Sequence, residues 1–187
     1  MPEANYFSNH FLIAMPTLTD PYFAQAVLYI CEHNENGAIG IVINHPLDLS
    51  LAEIFKQMDI KVENSTAKDS PVLCGGPVHP ERGFVIHTPG GTWRSSLEMN
   101  SEISVTTSRD ILQAIAENQG PADAIITLGY ASWTAGQLEQ EIIDNFWITC
   151  PVSADVLFKI PFGDRWQAAL QIIGVDIQRL SRDVGHA

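Results

Sequence analysis

Two apolar runs separated by a short polar segment constrain the fold of this chain more than any other feature of its sequence. The runs occupy residues 26–31 and 38–44, and the segment between them ends in Asn36-Gly37. Asn-Gly is typical of tight hairpin turns because both residues tolerate the positive φ angles that these turns require. The pattern predicts a β-hairpin, which commits this part of the chain to an antiparallel sheet.

Further short apolar segments predict more strands around this hairpin. They are bounded by glycine, proline and polar residues, as strands usually are. The segments are residues 72–74, 84–87, 103–106, 124–128 and 146–149. A polar loop is expected between residues 61 and 70, and irregular structure between residues 88 and 101.

Capping residues followed by apolar positions at helical spacing predict five short helices. Ser50 with Glu53 three residues later forms a capping box, and Thr134 with Gln137 forms a second candidate. The predicted starts are Ser50, Ser108, Thr134, Ser153 or Asp155, and Asp164. Adjacent strand pairs with segregated helices predict an α+β fold with a mixed, largely antiparallel sheet and flanking helices. No repeat or long linker divides the chain, so residues 1–187 are predicted to form one unit.

The charge balance disfavours direct binding to nucleic acid. Ten basic against 22 acidic residues give a net charge of −12, which repels phosphate backbones and anionic membrane surfaces. The basic residues are also scattered singly along the sequence, whereas nucleic-acid binding usually needs a basic patch. No window is apolar enough for a membrane span, and residues 1–7 lack the pattern of a secretory signal, which predicts a cytoplasmic protein.

Cys31 and His33 are the candidate catalytic residues, because they lie at a strand end beside the predicted turn. A histidine beside a cysteine favours the thiolate that nucleophilic and redox chemistry require. In a regular strand residues 31 and 33 share a face, but apolar neighbours would raise the pKa of the thiol. Two interpretations therefore stay open: a reactive pair, or an inert buried cysteine with a histidine near the turn.

Gly75 and Gly76 form a candidate ligand-binding turn. Glycines let the chain bend sharply and bring backbone N–H groups into the open, where they could bind an anion together with Arg82 and His79. The stretch lacks the Gly-Lys-Ser/Thr of a P-loop and the glycine spacing of a dinucleotide-binding motif. A purely structural turn is the alternative.

Residues 129–141 form the second candidate ligand-binding segment. An apolar strand is predicted to run into a small-residue turn with Gly129 and Gly136, and then into a helix that begins near Gln137. Trp133 would offer a flat surface beside the start of that helix, a place where pockets often form. The alternative is that Trp133 packs in the core.

No metal and no cofactor are predicted. The residues that could ligate a soft metal are Cys31, His33, Cys74, His79, His87 and Cys150. None of them has the short Cys-x-x-Cys or His-x-x-x-His spacing that structural zinc sites use. The three cysteines are also too widely spaced for a secreted disulfide framework, so reduced thiols are expected.

Four stretches together resemble the YqgE/AlgH family of bacterial proteins: residues 29–34, 75–78, 82–87 and 129–141. The similarity extends over nearly the whole chain, from residues 11–16 to the tail at 180–187. It implies an α+β fold with a bent sheet, alone or with a smaller subdomain, and the name AlgH implies regulation of gene expression. The resemblance transfers no catalytic residue, and Ser132 stands where the family commonly has glycine.

The residues and the resemblance together predict a cytoplasmic regulatory or interaction protein rather than an enzyme. It is expected to act through a protein partner or a small ligand and not by direct contact with DNA. The alternative is a thiol-based redox sensor, or a small-ligand-binding enzyme, that uses Cys31 and His33.

Overall fold

The computed structural model describes residues 6–62 and 65–176, and these contain ten β-strands and five α-helices. The strands are β1 (His10–Ala14), β2 (Val27–Asn34), β3 (Gly37–Val42), β4 (Pro46–Ser50), β5 (Pro71–Cys74), β6 (Val78–His87), β7 (Ser96–Glu98), β8 (Ser104–Thr106), β9 (Ala124–Thr134) and β10 (Trp147–Pro151). The helices are α1 (Leu51–Gln57), α2 (Arg109–Ala116), α3 (Gln137–Ile143), α4 (Ala154–Phe158) and α5 (Arg165–Ile172). No helix among the described residues is long and apolar enough to cross a membrane.

The strands form one bent sheet that is almost entirely antiparallel. Its order is β10-β1-β2-β3-β9-β6-β8-β7, with β5 also paired to β9 and β4 paired to β5. Within the described residues, the pairing of β5 with β9 is the only parallel one. The predicted α+β class, with a mixed, largely antiparallel sheet and flanking helices, is therefore confirmed.

Strand β9 organises the sheet because it pairs with three other strands. Its first half, Ala124–Leu128, lies between β5 and β6, and its last residues, 131–134, pair with β3. The prediction of a turn at residues 129–134 is wrong, because these residues continue the strand. Small residues in this segment suit close contact between backbones, which the sequence alone does not distinguish from a turn.

Three apolar clusters pack against the sheet, and we name each by the helices that cover it. The α5 face buries Phe11, Tyr29 and Ile41 under α4 and α5. The α3 face lies on the other side of the same strands and buries Leu12 and Leu28 together with Leu138 of α3. The α1–α2 face covers the first half of β9 and the adjacent part of β6. Successive residues of β1 and β2 alternate between two buried faces, which explains their continuous apolar runs.

The hairpin of β2 and β3 is confirmed, but its tip differs from the prediction. Asn34 pairs with Gly37, so Glu35 and Asn36 occupy the tip, and of Asn36 and Gly37 only the glycine has a positive φ angle, 133°. A Cβ atom on Gly37 would lie 2.1 Å from the carbonyl oxygen of Trp133. Glycine is required here because β9 passes so close, and not only because of the turn.

Four helix starts agree with the predicted caps, whereas α3 begins at Gln137 with Gly136, and not Thr134, as its N-cap. Ser50 and Glu53 form the predicted capping box of α1, and Ser108 lies directly before α2. The Ser153 hydroxyl accepts the backbone N–H of Val156 at the start of α4. Asp164 precedes α5 but makes no capping hydrogen bond through its side chain.

Strands β1, β4 and β7 are not among the strands predicted from the sequence. Strand β1 is buried on both sides, so its residues show no alternation between apolar and polar types. All residues of β7 are exposed and no residue of β4 is fully buried, so both strands carry little apolar signal. Strand β7 lies within the segment 88–101 that was predicted to be irregular.

Candidate functional site

Cys31 and His33 lie on opposite faces of the sheet. The pairing of β2 with β3 passes from Ile30 to Glu32 through a β-bulge, so Cys31 is an extra residue in β2. A bulge shifts the alternation of side chains by one position. Cys31 consequently packs against the α5 face, whereas His33 pairs with Ala38, which belongs to the α3 face. The structure does not bring the two candidate catalytic residues together.

The Cys31 thiol has surroundings that favour its protonated form. It is half-buried, and burial, with a smaller contribution from the Glu32 carboxylate, raises its pKa to about 12. The thiol donates a weak hydrogen bond to the Tyr29 carbonyl oxygen, with 3.9 Å between sulfur and oxygen. Nucleophilic and redox chemistry require a thiolate, which a pKa this high makes scarce at neutral pH.

His33 connects the start of the described chain to α3. The ring is buried, and its Nδ1 atom accepts the backbone N–H of Phe7 at 2.9 Å. Because Nδ1 accepts, Nε2 carries the hydrogen and donates it to the Glu139 carboxylate at 2.5 Å. The Phe7 ring stacks on the imidazole at 5.7 Å between centroids, and the Tyr6 ring meets it edge-on. Both nitrogens of His33 are therefore occupied by structural contacts.

Trp133 is a core residue on the α3 face. It is 6% exposed and meets the Trp147 ring edge-on, with 6.3 Å between centroids. The Glu141 carboxylate of α3 lies near both indoles, and burial raises its pKa, an effect that the two indoles and Gln137 partly oppose. Among the described residues, the Nε1 atom of Trp147 and one oxygen of Glu141 have no partner at hydrogen-bonding geometry.

Gly136 and Gln137 start helix α3 and do not line a pocket around Trp133. Gly136 has a φ angle of 77° and precedes the first residue of the helix. The Gln137 side chain accepts the backbone N–H of Thr134 at 3.0 Å, as in half of the predicted capping box. An edge of Trp133 contributes to a shallow depression of about 230 Å³ beside the hairpin.

Three of the candidate ligand-binding glycines do meet, but their backbones contact one another directly. A Cβ atom on Gly75 would lie 2.3 Å from the carbonyl oxygen of Gly129, and a Cβ atom on Gly129 would lie 2.3 Å from that of Gly76. The Gly75 N–H donates to the Leu128 carbonyl at 2.7 Å. This N–H is thus used inside the sheet, and the glycines allow the segment after β5 to pass in close contact with β9.

Arg82, the remaining candidate, lies on the surface. Its guanidinium is 5.9 Å from the centre of the Phe84 ring, a cation–π contact. No group of three or more His, Cys, Asp or Glu residues lies close enough to hold a metal ion within residues 6–62 and 65–176. The absence of a metal and of a cofactor stays a prediction.

A more enclosed concave site than the depression beside the hairpin lies elsewhere, between helices α1 and α2. This α1–α2 cavity has a volume of about 340 Å³. Most of its walls are apolar side chains from α1, α2, β6 and β9: Ile54, Met58, Val85, Leu112, Ile126 and Leu128. Gly83 contributes backbone only, which leaves space above the sheet.

Polar groups surround the apolar interior of the α1–α2 cavity. Arg109, the first residue of α2, donates from Nη2 to the Met58 carbonyl at 2.7 Å and so ties the two helices together. Glu81 and Ser108 also line the cavity. The apolar interior and the few polar groups at the edge are typical of small-molecule sites. No motif marks these residues in the sequence, where the only signal is the apolar face of each helix.

The fold defines the class of this protein as an α+β protein built on a bent, curled antiparallel sheet with flanking helices. The AlgH-like family model matches residues 11–178, and the chain belongs to this family.

Relatives and solved structures agree with this assignment over the full length. The chain is 54% identical to a UPF0301 protein of Thioalkalivibrio sulfidiphilus, with all of both chains covered. It is 50% identical to a UPF0301 protein of Methylococcus capsulatus over 98% of each chain. The solution structure of the AlgH protein from Pseudomonas aeruginosa matches with a TM-score of 0.79 and 45% identity, covering 100% of this chain and 99% of that one.

A more distant match supports the fold alone. A crystal structure of a protein from Corynebacterium diphtheriae has a TM-score of 0.71 at 20% identity, and the match covers 92% of this chain and 90% of that one. A fold that persists at such low identity depends on the pattern of buried positions and not on particular residues.

Proposed function

We propose that this chain is a non-catalytic regulatory or interaction protein that binds a small apolar ligand in the α1–α2 cavity. Its site of action would be the cytoplasm, and it would influence other proteins rather than contact DNA. The net charge of −12 supports the absence of direct contact with DNA, because it opposes approach to a phosphate backbone.

The observation that carries the proposal is the shape and lining of the α1–α2 cavity. Ligand pockets usually have volumes of about 300–1,000 Å³ and mostly apolar walls, and this cavity has about 340 Å³ between two helices. The residues at its edge include one cation, Arg109, and one carboxylate, Glu81, which could orient the polar end of a ligand.

A second candidate function, thiol-based sensing by Cys31, is supported by a different cavity. Cys31 lines a depression of about 390 Å³ together with Arg94 and Ser96, so a small molecule could reach the sulfur. Its pKa of about 12 opposes the idea. Measuring the rate of iodoacetamide labelling against pH would decide: rapid labelling of Cys31 near neutral pH would support the sensor.

Fluorescence of the uncharged apolar dye phenylnaphthylamine tests the proposed ligand site. Gly83→Leu should fill part of the cavity, because a Cβ atom there would meet Leu128 at an ordinary 3.8 Å. We expect the wild-type protein to bind the dye and Gly83→Leu to lose most of this binding. Gly163→Leu is the matched control, since Gly163 lies in open space outside the cavity.

The result is interpretable only for folded variants, which a urea titration would verify. Equal dye binding by the wild type and by Gly83→Leu would contradict the proposal. So would an equal loss of binding in Gly83→Leu and Gly163→Leu.

A further inference from the structure

A second cavity lies on the other side of helix α1, and it collects most of the lysines of the chain. It is an open depression of about 930 Å³, which we call the lysine cavity. The chain has four lysines, and three of them, Lys56, Lys61 and Lys68, line this cavity. Residues that the sequence scatters over 13 positions, 56 to 68, are thus gathered by the fold.

The backbone explains how these lysines come together. Lys56 is on α1, and the Ile60 N–H donates to the Phe55 carbonyl at 2.8 Å, which turns the chain back after the helix and leads to Lys61. The Ala52 N–H donates to the Lys68 carbonyl at 2.8 Å, so the returning segment runs beside the start of α1. Backbone hydrogen bonds therefore fix both sides of the cavity.

The charge of the lysine cavity is opposite to that of the molecule. The chain carries −12 overall, yet Asp59 is the one acidic residue among the described residues that line this cavity. Within the described residues, none of the three lysines forms a salt bridge, whereas Lys159 pairs with Asp155 at 3.1 Å. Ammonium groups that have no carboxylate partner among the described residues and surround a concave surface favour an anion.

The lining between the lysines is apolar. Ala52 and Val62 are half-buried and expose apolar groups to the cavity, whose wall also includes the buried Phe55 and Ile60. A surface of this kind contacts a hydrocarbon or aromatic group, whereas a simple inorganic anion would leave it uncovered.

We propose that the lysine cavity binds a small amphiphilic anion, a molecule with a phosphate, sulfonate or carboxylate group on an aromatic or aliphatic body. The lysines bind the anionic group, and Ala52, Ile60 and Val62 contact the body. This site is separate from the α1–α2 cavity, although α1 contributes different residues to both: Ile54 and Met58 to one, Phe55 and Lys56 to the other.

Fluorescence titration with anilinonaphthalene sulfonate, a dye of this chemical class, tests the proposal. We expect the wild-type protein to bind the sulfonate dye, and the triple variant Lys56→Gln, Lys61→Gln, Lys68→Gln to bind it about tenfold more weakly, as the loss of three exposed charge contacts implies. Lys159→Gln is the matched control and should bind like the wild type. Raising the salt concentration should weaken binding to the wild type and have little effect on the triple variant.

Two further binding measurements distinguish the lysine cavity from the α1–α2 cavity. Uncharged phenylnaphthylamine should bind the triple variant as well as it binds the wild type, because its binding does not need the lysines. Gly83→Leu should retain the sulfonate dye. The midpoint of urea unfolding should be nearly unchanged in the triple variant, since its lysines are exposed.

The proposal is overturned if the wild type does not bind the sulfonate, or if the triple variant binds it as tightly as the wild type. It is also overturned if Lys159→Gln weakens binding equally, which would show a general effect of net charge. Loss of the sulfonate in Gly83→Leu would place that dye in the α1–α2 cavity and would likewise contradict the proposal.

Discussion

The two halves of strand β9 lie in opposite kinds of surroundings. Around residues 129–134, which we call the closed half, Trp133 is buried, both nitrogens of His33 are bonded and glycine backbones cross in direct contact. Around residues 124–128, the open half, two short helices leave cavities over and beside the sheet. The residues that are conspicuous in the sequence thus make packing and hydrogen-bond contacts here, and the cavities are lined by residues that no motif marks.

Helix length and contact explain part of this difference. A helix of seven or eight residues is only about 10–12 Å long, and both α1 and α2 are that short. Helix α3 is equally short, but large indoles fill the space beneath it and Glu139 ties it to His33. The closed half is thus filled by side chains that the α1–α2 face lacks.

Truncating an indole in each half should give the largest effect. Trp133→Ala should lower the free energy of unfolding by about 3–5 kcal/mol, because it removes a buried aromatic side chain and leaves a cavity. Trp93→Ala, at a half-buried indole that packs against the α1–α2 face, should cost clearly less. Urea titrations of both variants measure this directly, and equal losses would contradict the distinction between the halves.

Adding a methyl group to a glycine in each half should give an intermediate effect. Gly129→Ala should cost about 2–4 kcal/mol, since the new Cβ would lie 2.3 Å from the Gly76 carbonyl oxygen at a φ angle of 79°. Gly83→Ala meets only ordinary contacts and should change stability by less than about 0.5 kcal/mol. Thermal unfolding of the two proteins compares them; a destabilised Gly83→Ala would show that the open half is also tightly packed.

Acidification should give the smallest effect, with opposite signs in the two halves. In the open half, burial lowers the pKa of His87, although the Thr88 carbonyl partly opposes this. The unfolded chain therefore takes up the proton first, and stability is lost as pH falls below about 6.5. In the closed half, burial raises the pKa of Glu141. The folded chain takes up that proton first, so stability is gained as pH falls and lost again as pH rises through the folded pKa.

Two variants separate these contributions. His87→Gln should make the loss of stability below about pH 6.5 shallower, and Glu141→Gln should remove the gain that begins as pH falls through the raised pKa of that carboxyl and is complete at about pH 4. The midpoint of urea unfolding at several pH values reports both. Slopes that change in the same direction would contradict the assignment of opposite signs.

Local signals in the sequence predicted many of the helices and strands but not the site. The hairpin, the capping box at Ser50 and the cap at Ser108 depend on residues close together in the chain, and the structure contains all three. The face of Cys31 depends on a bulge, which no residue type near it signals. Gly129 allows close backbone contact with Gly75 and Gly76, which are more than 50 residues away in sequence. The pattern of a single sequence carries no information about such distant partners.

The cavities could not be predicted for the same physical reason. A cavity is a region that side chains from several elements leave unfilled, and it therefore depends on distances between elements. Lys56, Lys61 and Lys68 are scattered in the sequence and share one cavity only because the segment after α1 turns back. The net charge of −12 describes the chain as a whole. It does not reveal that three lysines share the lysine cavity.

The position of β1 has a consequence for the synthesis of the protein. Strand β1 lies between β2 and β10, and His10 pairs with Pro151. One edge of β1, which is synthesised early, therefore pairs with β10, which is synthesised late. While the ribosome extends the chain, β1, β2 and β3 can assemble early, but the N–H and C=O groups on the outer edge of β1 stay without a strand partner until residues 147–151 emerge. An exposed edge on an apolar strand is prone to pair with other chains, and β1 is more apolar and more deeply buried than β10, which forms this edge of the finished sheet. A nascent chain stalled before Trp147 should therefore aggregate more readily than one stalled after Pro151.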